Sequence, residues 1–184
     1  FSSAPSSIIA IGTVVSADRS GKAKTTERMK VLEINDSLGS SNGLTQVTGG
    51  FGTRVEDSSI SLGCADVFKI KAIFESTDSS SPQIPYFEYT NLLGSLAVDE
   101  VIEGVASGSR GRIVSTTGNR IYYIPVEDDK FTDGEDMTSP NATFKIVSGG
   151  IVKGATNITD NFDLDDGQRD QFYDYSRITR KAGV

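Results

Sequence analysis

Apolar and polar residues alternate with a period of two along several stretches of this chain. Two short apolar runs, IIAIGTVV at 8–15 and RMKVLEIN at 28–35, are separated by a polar loop. The stretch DVFKIKAIFES at 66–76 alternates more regularly, and its apolar positions are Phe68, Ile70, Ala72 and Phe74. Such alternation is typical of strands with one buried face, so we predict strands within an N-terminal β region at 1–80.

Beyond the Ser- and Pro-rich loop at 76–85, one part of the sequence repeats another. LAVDEVIEG at 96–104 aligns with FTDGEDMTS at 131–139. The aligned residues at this offset of 35 are Leu96 with Phe131, Glu100 with Glu135, and Ile102 with Met137. RIVS at 112–115 then recurs as KIVS at 145–148. Because one hairpin cannot bury its apolar face alone, the repeat predicts two hairpin units packed together.

The predicted fold class is mainly β. We expect an N-terminal β region at 1–80, a small β-sandwich or barrel built from two repeated hairpin units at 84–149, and a linker with a C-terminal docking segment at 150–184. The high content of Gly, 19 of 184 residues, agrees with many tight turns. A short helical turn is expected near the C-terminus, because Asp165 and Gln168 have the spacing of a capping box and apolar residues follow at intervals of three and four.

The composition excludes several classes of enzyme and partner. The chain has no His, which excludes Ser-His-Asp and Cys-His catalysis and His-containing zinc sites. Its single Cys cannot form an internal disulfide. A net charge of −7 disfavours phosphate backbones and anionic lipid, and no apolar run reaches the roughly 18 residues of a membrane span. We therefore predict neither a nucleic-acid nor a membrane partner.

Two patterns of acidic residues suggest chemistry, and each has a simpler interpretation. Glu100 and Glu135 would supply a carboxylate pair, yet each occupies the same place in a repeated turn, where a carboxylate accepts backbone N–H bonds. The sequence DLDDGQRD is similar to a calcium-binding loop. With Gly167 at its sixth position, however, the first and twelfth positions, which need acidic ligands, are Phe162 and Tyr173. We therefore predict no catalytic residue, no metal and no cofactor.

The stretch DLDDGQRDQFYDYSRITRK at 163–181 concentrates charged and aromatic residues. Acidic residues precede basic ones, in the order that suits a helix dipole. Aromatic anchors flanked by arginines are typical of docking surfaces. The predicted interface residues are Arg169, Phe172, Tyr173, Tyr175, Arg177 and Ile178. Two alternatives stay open: docking onto another subunit or a following domain, and packing of the stretch onto its own domain.

Three motifs occur in a recognisable order. VEDSSISLGCADVFKIKAIFES contains a D-x-x-I-S-L-G turn, the hairpin units contain VDEVIEG and SGSRGRIVS, and the C-terminal stretch contains LDDGQRDQFYDYSRITRKAG. Together they resemble a segment of the large virion structural proteins of contractile-tailed marine phages, including cyanobacterial phages. The closing motif of that family is L-D-x-G-Q-R-D-x-x-Y-D-x-x-R-I-x-R-K-x-G. The resemblance is most secure over 54–184, while Val98-Asp99 and Pro140-Asn141 depart from the family's turn pattern.

The resemblance implies a structural protein of the virion, located in the phage tail or baseplate. It also implies that the chain is a segment of a longer tail, baseplate or fibre subunit, acting as a spacer and docking module. Other virion subunits are then the expected partners, and a homo-oligomer is the expected state. The start of the sequence at Phe1 rather than Met agrees with the expectation of a longer protein.

Two further functions stay open. A glycan- or receptor-binding module of a tail fibre needs exposed aromatic side chains, for which the candidates are Tyr86, Phe87, Tyr89, Tyr122 and Tyr123. A carboxylate-based glycoside hydrolase needs two acids roughly 5 to 9.5 Å apart in a groove. A host-surface glycan would be the partner of the first and the substrate of the second. An exposed aromatic row favours the first, and a cleft with a paired acid of shifted pKa favours the second.

Overall fold

The computed structural model describes residues 26, 28–34, 57–78, 80–170 and 174–183. In these ranges the chain is mainly β, as predicted, and its only helical segment is a 3₁₀ turn at Thr159–Asn161. No helix in the described part of the chain is long and apolar enough to cross a membrane. The strand predicted at 8–15 lies outside the described residues.

The described ranges contain eleven strands in three groups. The first group is β1 (Ser59–Ser61) and β2 (Phe74–Glu75). The second is β3 (Tyr86–Gly94), β4 (Val101–Gly104), β5 (Arg110–Thr117), β6 (Arg120–Pro125), β7 (Asp136–Thr138) and β8 (Ala142–Val152). The third is β9 (Thr156–Asn157), β10 (Phe162–Asp165) and β11 (Arg177–Arg180). The longer strands of the middle group therefore lie between two groups of short ones.

The middle group closes into a barrel in the order β3-β6-β5-β4-β7-β8, with β8 pairing back onto β3. Residues alternate between the two faces, as in β8, where Phe144 and Ile146 are buried and Lys145 is exposed. The buried core of the barrel consists of Phe87, Ile102, Ile113, Ile121, Tyr123, Met137, Phe144 and Ile146. A barrel of so few strands is filled by its own side chains rather than enclosing a channel.

The β4–β5 and β7–β8 hairpins are the two repeated units, which confirms the predicted duplication. β4 and β7 pair with each other, and Glu103 lies opposite Thr138, the residue 35 positions later. If a two-fold axis relates two units that are 35 residues apart in the sequence, a residue at the axis must lie opposite the residue 35 positions later. Glu103 and Thr138 meet this condition. β6 follows β5 as the third strand of the first unit, and β3, which precedes both units in sequence, takes the equivalent place beside β8.

A second, three-stranded sheet is built from strands that precede and follow the barrel strands in the sequence. β11 lies between β1 and β10, antiparallel to both. The small core at this sheet has three buried residues: Ile60 in β1, Leu62 just after it, and Ile178 in β11. β2 pairs with β9 where the chain enters and leaves the barrel. The residues just before the barrel and the C-terminal stretch therefore pack together within one chain.

The strand predicted at 66–76 is wrong except at its end. Only Phe74–Glu75 forms a strand, and Phe68 is 95% exposed. The side chains that pack against the small core are instead Val67, Ile70 and Ile73. Residues three apart do not share a face of an extended strand, so this segment is irregular. It is held by long-range hydrogen bonds, such as the one that the Ile73 amide donates to Thr159 Oγ1 at 2.7 Å.

Two other local predictions are wrong. Within 28–35, the described residues contain no strand beyond a β-bridge at Ile34. The helical turn expected near the C-terminus is absent from the described residues of that stretch, which exclude 171–173. Arg177–Arg180 forms β11 instead, in which Ile178 lies opposite both Ile60 and Leu164. Pairing with strands on both sides outweighs the local helical spacing, and the β-branched residues of β11 favour an extended conformation.

Candidate functional site

The predicted docking stretch contains a tight turn at the end of β10. The Gly167 amide donates to Asp165 Oδ1 at 3.0 Å, and the Gln168 amide donates to Asp166 Oδ1 at 2.9 Å. Gly167 is buried with a φ of 79°, and its carbonyl accepts from the Asp174 amide at 2.8 Å. Asp165 therefore organises a turn rather than the predicted capping box.

Two arginines and two aspartates form an ion-pair network over this turn. Arg169 donates from Nη1 and Nη2 to the two oxygens of Asp165, at 2.9 and 2.7 Å. Arg177 Nη2 donates to Asp174 Oδ2 at 2.6 Å. The hydrogen bond from Arg169, followed by that from the Gly167 amide, lowers the pKa of Asp165 to about 2. Asp165 is therefore charged at neutral pH, and the paired side chains fix one another's positions on the surface.

Ser176 links this turn to the segment around Cys64 and Val67, and the Asp66 amide adds a hydrogen bond to the Asp166 carbonyl at 3.2 Å. Ser176 is fully buried, and its Oγ donates to the Asp166 carbonyl at 2.7 Å and accepts from the Val67 amide at 3.0 Å. Its backbone amide donates to the Cys64 carbonyl at 2.7 Å, and its carbonyl accepts from the Leu62 amide at 2.8 Å. The role of Ser176 was not predicted, because a serine in a polar stretch carries no local signal of partners more than 100 residues away.

Two exposed aromatic side chains flank this junction. Phe68 is 95% exposed and Tyr175 is 55% exposed. Each is the sequence neighbour of one partner in the hydrogen bond between Val67 and Ser176, so the backbone brings the two aromatic residues to the same end of the small sheet. We call Phe68, Tyr175 and the adjacent ion-pair network the aromatic patch. Phe68 was expected in a strand core, and its exposure was not predicted.

The structure separates the six predicted interface residues into different environments. Arg169 and Arg177 lie in the ion-pair network, and Tyr175 is exposed beside it. Ile178 is 5% exposed and contributes to the core of its own chain. The remaining two, Phe172 and Tyr173, lie outside the described residues. Of the described interface candidates, Arg169, Tyr175 and Arg177 are therefore the three that can contact a partner.

Glu135 is engaged by the backbone, as the repeat predicted. It is 6% exposed, and its carboxylate accepts from the Thr132 amide at 2.7 Å, from the Ala106 and Ser107 amides at 3.1 and 3.0 Å, and from Ser107 Oγ at 2.9 Å. Burial raises the pKa of Glu135, but these hydrogen bonds outweigh it, so the pKa lies below its ordinary value. A carboxylate held in this way links its own turn to the turn of the other hairpin.

Glu100 makes the equivalent contacts in the first unit. Its carboxylate accepts from the Ala97 amide, three residues earlier, at 2.9 Å and from the Asn141 amide at 3.2 Å. Asn141 stands 35 residues after Ala106, which contacts Glu135. The two carboxylates therefore fasten the two hairpins to each other at related positions, which confirms the predicted role as backbone acceptors.

The aromatic residues considered for glycan binding do not form a row. Two are buried in the barrel core: Phe87 and Tyr123. Tyr89 packs against the same core, and its ring centroid is 5.7 Å from that of Phe144. Tyr86 and Tyr122 are half-buried and lie opposite each other on β3 and β6, with ring centroids 5.2 Å apart. The Arg120 guanidinium lies 4.9 Å above the Tyr86 ring.

The described residues include no group of three or more His, Cys, Asp or Glu side chains arranged to hold a metal ion. The chain matches no protein-family model, and neither a curated protein nor a solved structure is significantly similar to it. The site must therefore be interpreted from its own geometry. That geometry consists of an interlocked charged turn, two exposed aromatic residues, and carboxylates engaged by backbone donors.

Replacing Gly167 by Ala is expected to lower the free energy of unfolding by about 3 kcal/mol, since positive-φ strain adds to a steric clash. The new Cβ would overlap the Asp174 carbonyl oxygen and lie 2.9 Å from the carbonyl carbon. Gly149→Ala is the matched control, because its φ is 73° and its Cβ would meet open space. Urea unfolding should show a cost of about 1 kcal/mol for the control. Equal costs for the two variants would contradict this account of the turn.

Proposed function

We propose that this chain is a structural and docking module of a contractile-tailed phage virion, within a tail, baseplate or fibre subunit. The observation that carries the proposal is the closing motif. The residues through which the sequence resembles that family, including Asp165, Gly167, Arg169, Asp174 and Arg177, are those that build the interlocked turn. Such a network positions a surface and has no bond-making role.

The aromatic patch has the composition of a protein-docking surface. Arginine and aromatic residues are enriched among the residues that dominate binding energies, and Phe68 and Tyr175 are exposed without a covering element in the described part of the chain. Arg169 and Arg177 are already held in fixed orientations, which reduces the entropy lost on binding. The expected partners are other virion subunits, including further copies of the longer subunit.

The barrel supports the role of a spacer. Its core is filled, its strands form a closed set, and the chain enters and leaves it through the paired strands β2 and β9. A closed barrel leaves few edges for unwanted pairing. Glu100 and Glu135, which a hydrolase would need as free acids, hold backbone amides of the two hairpins instead. We therefore favour the structural role over glycoside hydrolysis.

Immunogold electron microscopy tests the proposed location. An antibody raised against the full chain should label the tail, baseplate or fibres of the phage that encodes it. Purified particles opened with detergent provide the control for epitopes hidden in the assembled virion. Absence of label from both intact and opened particles would overturn the proposal.

Replacing Phe68 and Tyr175 together by Ser is expected to reduce assembly of infectious particles at least about tenfold, since each anchor of this kind is worth ~2 kcal/mol. Both side chains are exposed, so the melting temperature of the isolated chain should stay close to that of the wild type. Val126→Ser, at a side chain 43% exposed on the barrel, is the control. A normal titre for the double variant would show that the aromatic patch is not part of the assembly surface.

Glycan binding is the second candidate, and one surface feature favours it. Tyr86 and Tyr122 form a tilted aromatic pair, beside which Arg120 donates to Glu88 Oε1 at 3.0 Å. Since the Arg120 guanidinium already covers one face of the Tyr86 ring, Tyr122 is the ring that would contact a sugar. A glycan array with the full chain and with Tyr122→Ala separates the two functions. Binding that the substitution abolishes supports the glycan candidate, and absence of binding to the wild type counts against it.

A further inference from the structure

The last residues of β3 extend beyond the strand that covers them in the barrel. β3 continues to Gly94, whereas its pairing with β6 ends at Glu88 opposite Arg120, followed by the hydrogen bond from the Tyr89 amide to the Asn119 carbonyl at 2.8 Å. From Thr90 onward, β3 pairs only with β8. This segment therefore has one open strand edge in the described part of the chain.

This open edge is uncharged and partly apolar. The sequence from Tyr89 to Val98, YTNLLGSLAV, contains no charged residue. Leu93 is 73% exposed and Leu92 is 36% exposed. On β8, the residues opposite the end of the edge, Thr143 and Ala142, are also uncharged, whereas the exposed Lys145 lies opposite Thr90 at its start. In a chain with a net charge of −7, a corner without a carboxylate of its own is a place where two copies meet less charge repulsion than elsewhere on the surface.

A β-bulge explains why two consecutive leucines are exposed. The register of β3 against β8 shifts between Thr90 and Leu93, and Asn91 has a φ of 56°. A bulge bends the strand and interrupts the alternation of its side chains. Natural edge strands are usually protected against pairing by charged side chains, and none is present in this segment. The bulge therefore presents an apolar surface without the usual electrostatic protection.

We propose that two copies of this chain associate through the corner formed by Thr90–Ser95, with Leu92 and Leu93 at its centre. A two-fold axis places the same segment of both copies side by side and antiparallel, so that each open edge supplies the donors and acceptors that the other lacks. The exposed leucines then pack on each other. This association requires only the barrel and does not depend on a role in a virion.

Sedimentation velocity of the full chain over a range of concentrations tests this association. The wild type should show a concentration-dependent equilibrium between monomer and dimer, which higher salt strengthens by screening the net charge. Leu93→Asp should weaken dimerisation about tenfold or more, since it places two like charges at the axis. Val105→Asp, at a side chain 67% exposed in the turn after β4, should dimerise like the wild type.

Mixing two variants of opposite charge at position 93 provides a second test of the association. A mixture of Leu93→Asp and Leu93→Lys, each of which is monomeric alone, should form a mixed dimer because the two-fold axis places opposite charges together. Circular dichroism should show native melting for both variants, since the substituted side chain is exposed. A wild type that stays monomeric at the highest concentration, equal weakening by Val105→Asp, or failure of the mixture to associate would overturn the proposal.

Discussion

Replacing Glu135 by Ala is expected to lower the free energy of unfolding of the barrel by about 3 kcal/mol or more. The substitution removes the acceptor for the amides of Thr132, Ala106 and Ser107. A hydrogen bond to a charged group contributes about 1.5–3 kcal/mol, and three part-buried amides lose their charged acceptor at once. The loss falls on the junction between β4 and β7, which has only two paired positions to hold it.

Glu100→Ala provides the matched control, because Glu100 accepts from two equivalent amides, those of Ala97 and Asn141, at a more exposed position. Urea unfolding followed by circular dichroism should rank Glu135→Ala as clearly more destabilising than Glu100→Ala. The opposite order would show that the buried hydrogen bonds are not what fastens the two hairpins.

The same carboxylate gives barrel stability a defined pH dependence. Because its pKa in the folded state lies below the ordinary value of 4.5, the stabilisation from Glu135 is fully present above pH 4.5. It is lost as the pH falls through the lower, folded-state pKa, where protonation weakens the hydrogen bonds from the amides. Glu135→Gln should therefore flatten the dependence of unfolding free energy on pH below 4.5 while lowering stability at pH 7.

Gly104 leaves the space that this carboxylate occupies. A Cβ at this position would lie 2.5 and 2.6 Å from the two Glu135 oxygens and would also overlap Ser107 Oγ. Gly104→Ala should therefore displace the carboxylate and cost about as much as its removal, in the range of steric and buried-polar defects. The costs of Gly104→Ala and Glu135→Ala should not add in the double variant, because both remove the same contacts.

The two repeated hairpin units and the roles of both carboxylates were predictable because the sequence carries their signals directly. Leu96 and Phe131 both pack against the barrel core, as the alignment of the repeats required. Each carboxylate also accepts from a backbone amide three residues earlier, a spacing visible in the sequence. Closure of the barrel by β3 was not predictable from the repeat, because β3 lies outside both repeated units.

The small sheet was not predictable because its determinants are distant in sequence. Thr179 of β11 pairs with Ser59 of β1, and the buried Ser176 bonds to Val67 across 109 positions. The alternation at 66–76 indicated a strand, but the three-residue spacing of its buried side chains follows from packing against β10 and β11. Phe68 is exposed for the same reason, and the local hydrophobic pattern did not indicate this exposure.

Ending the chain after Thr159 is expected to unfold the small sheet and leave the barrel intact. The truncation removes β10 and β11, and β11 is the strand that pairs with β1. Ile60 and Leu62 then lose Ile178 as well as the flanking Phe162 and Leu164, so no core remains to order this segment. The barrel keeps its eight buried core residues and all six strands, which lie between Tyr86 and Val152.

Hydrogen exchange measures the two parts of the chain separately. In the truncated chain, amides of 57–72 should exchange at the rate of an unfolded chain, while amides of β5 and β8 keep native protection. A chain that ends after Lys181 keeps β11 and should behave like the wild type. Retained protection of 57–72 would mean that the C-terminal stretch is dispensable for its own chain and free to dock elsewhere. Loss of protection in the barrel would show that the two parts fold as one unit, with contacts such as Lys71 to Asp99 at 3.7 Å coupling them.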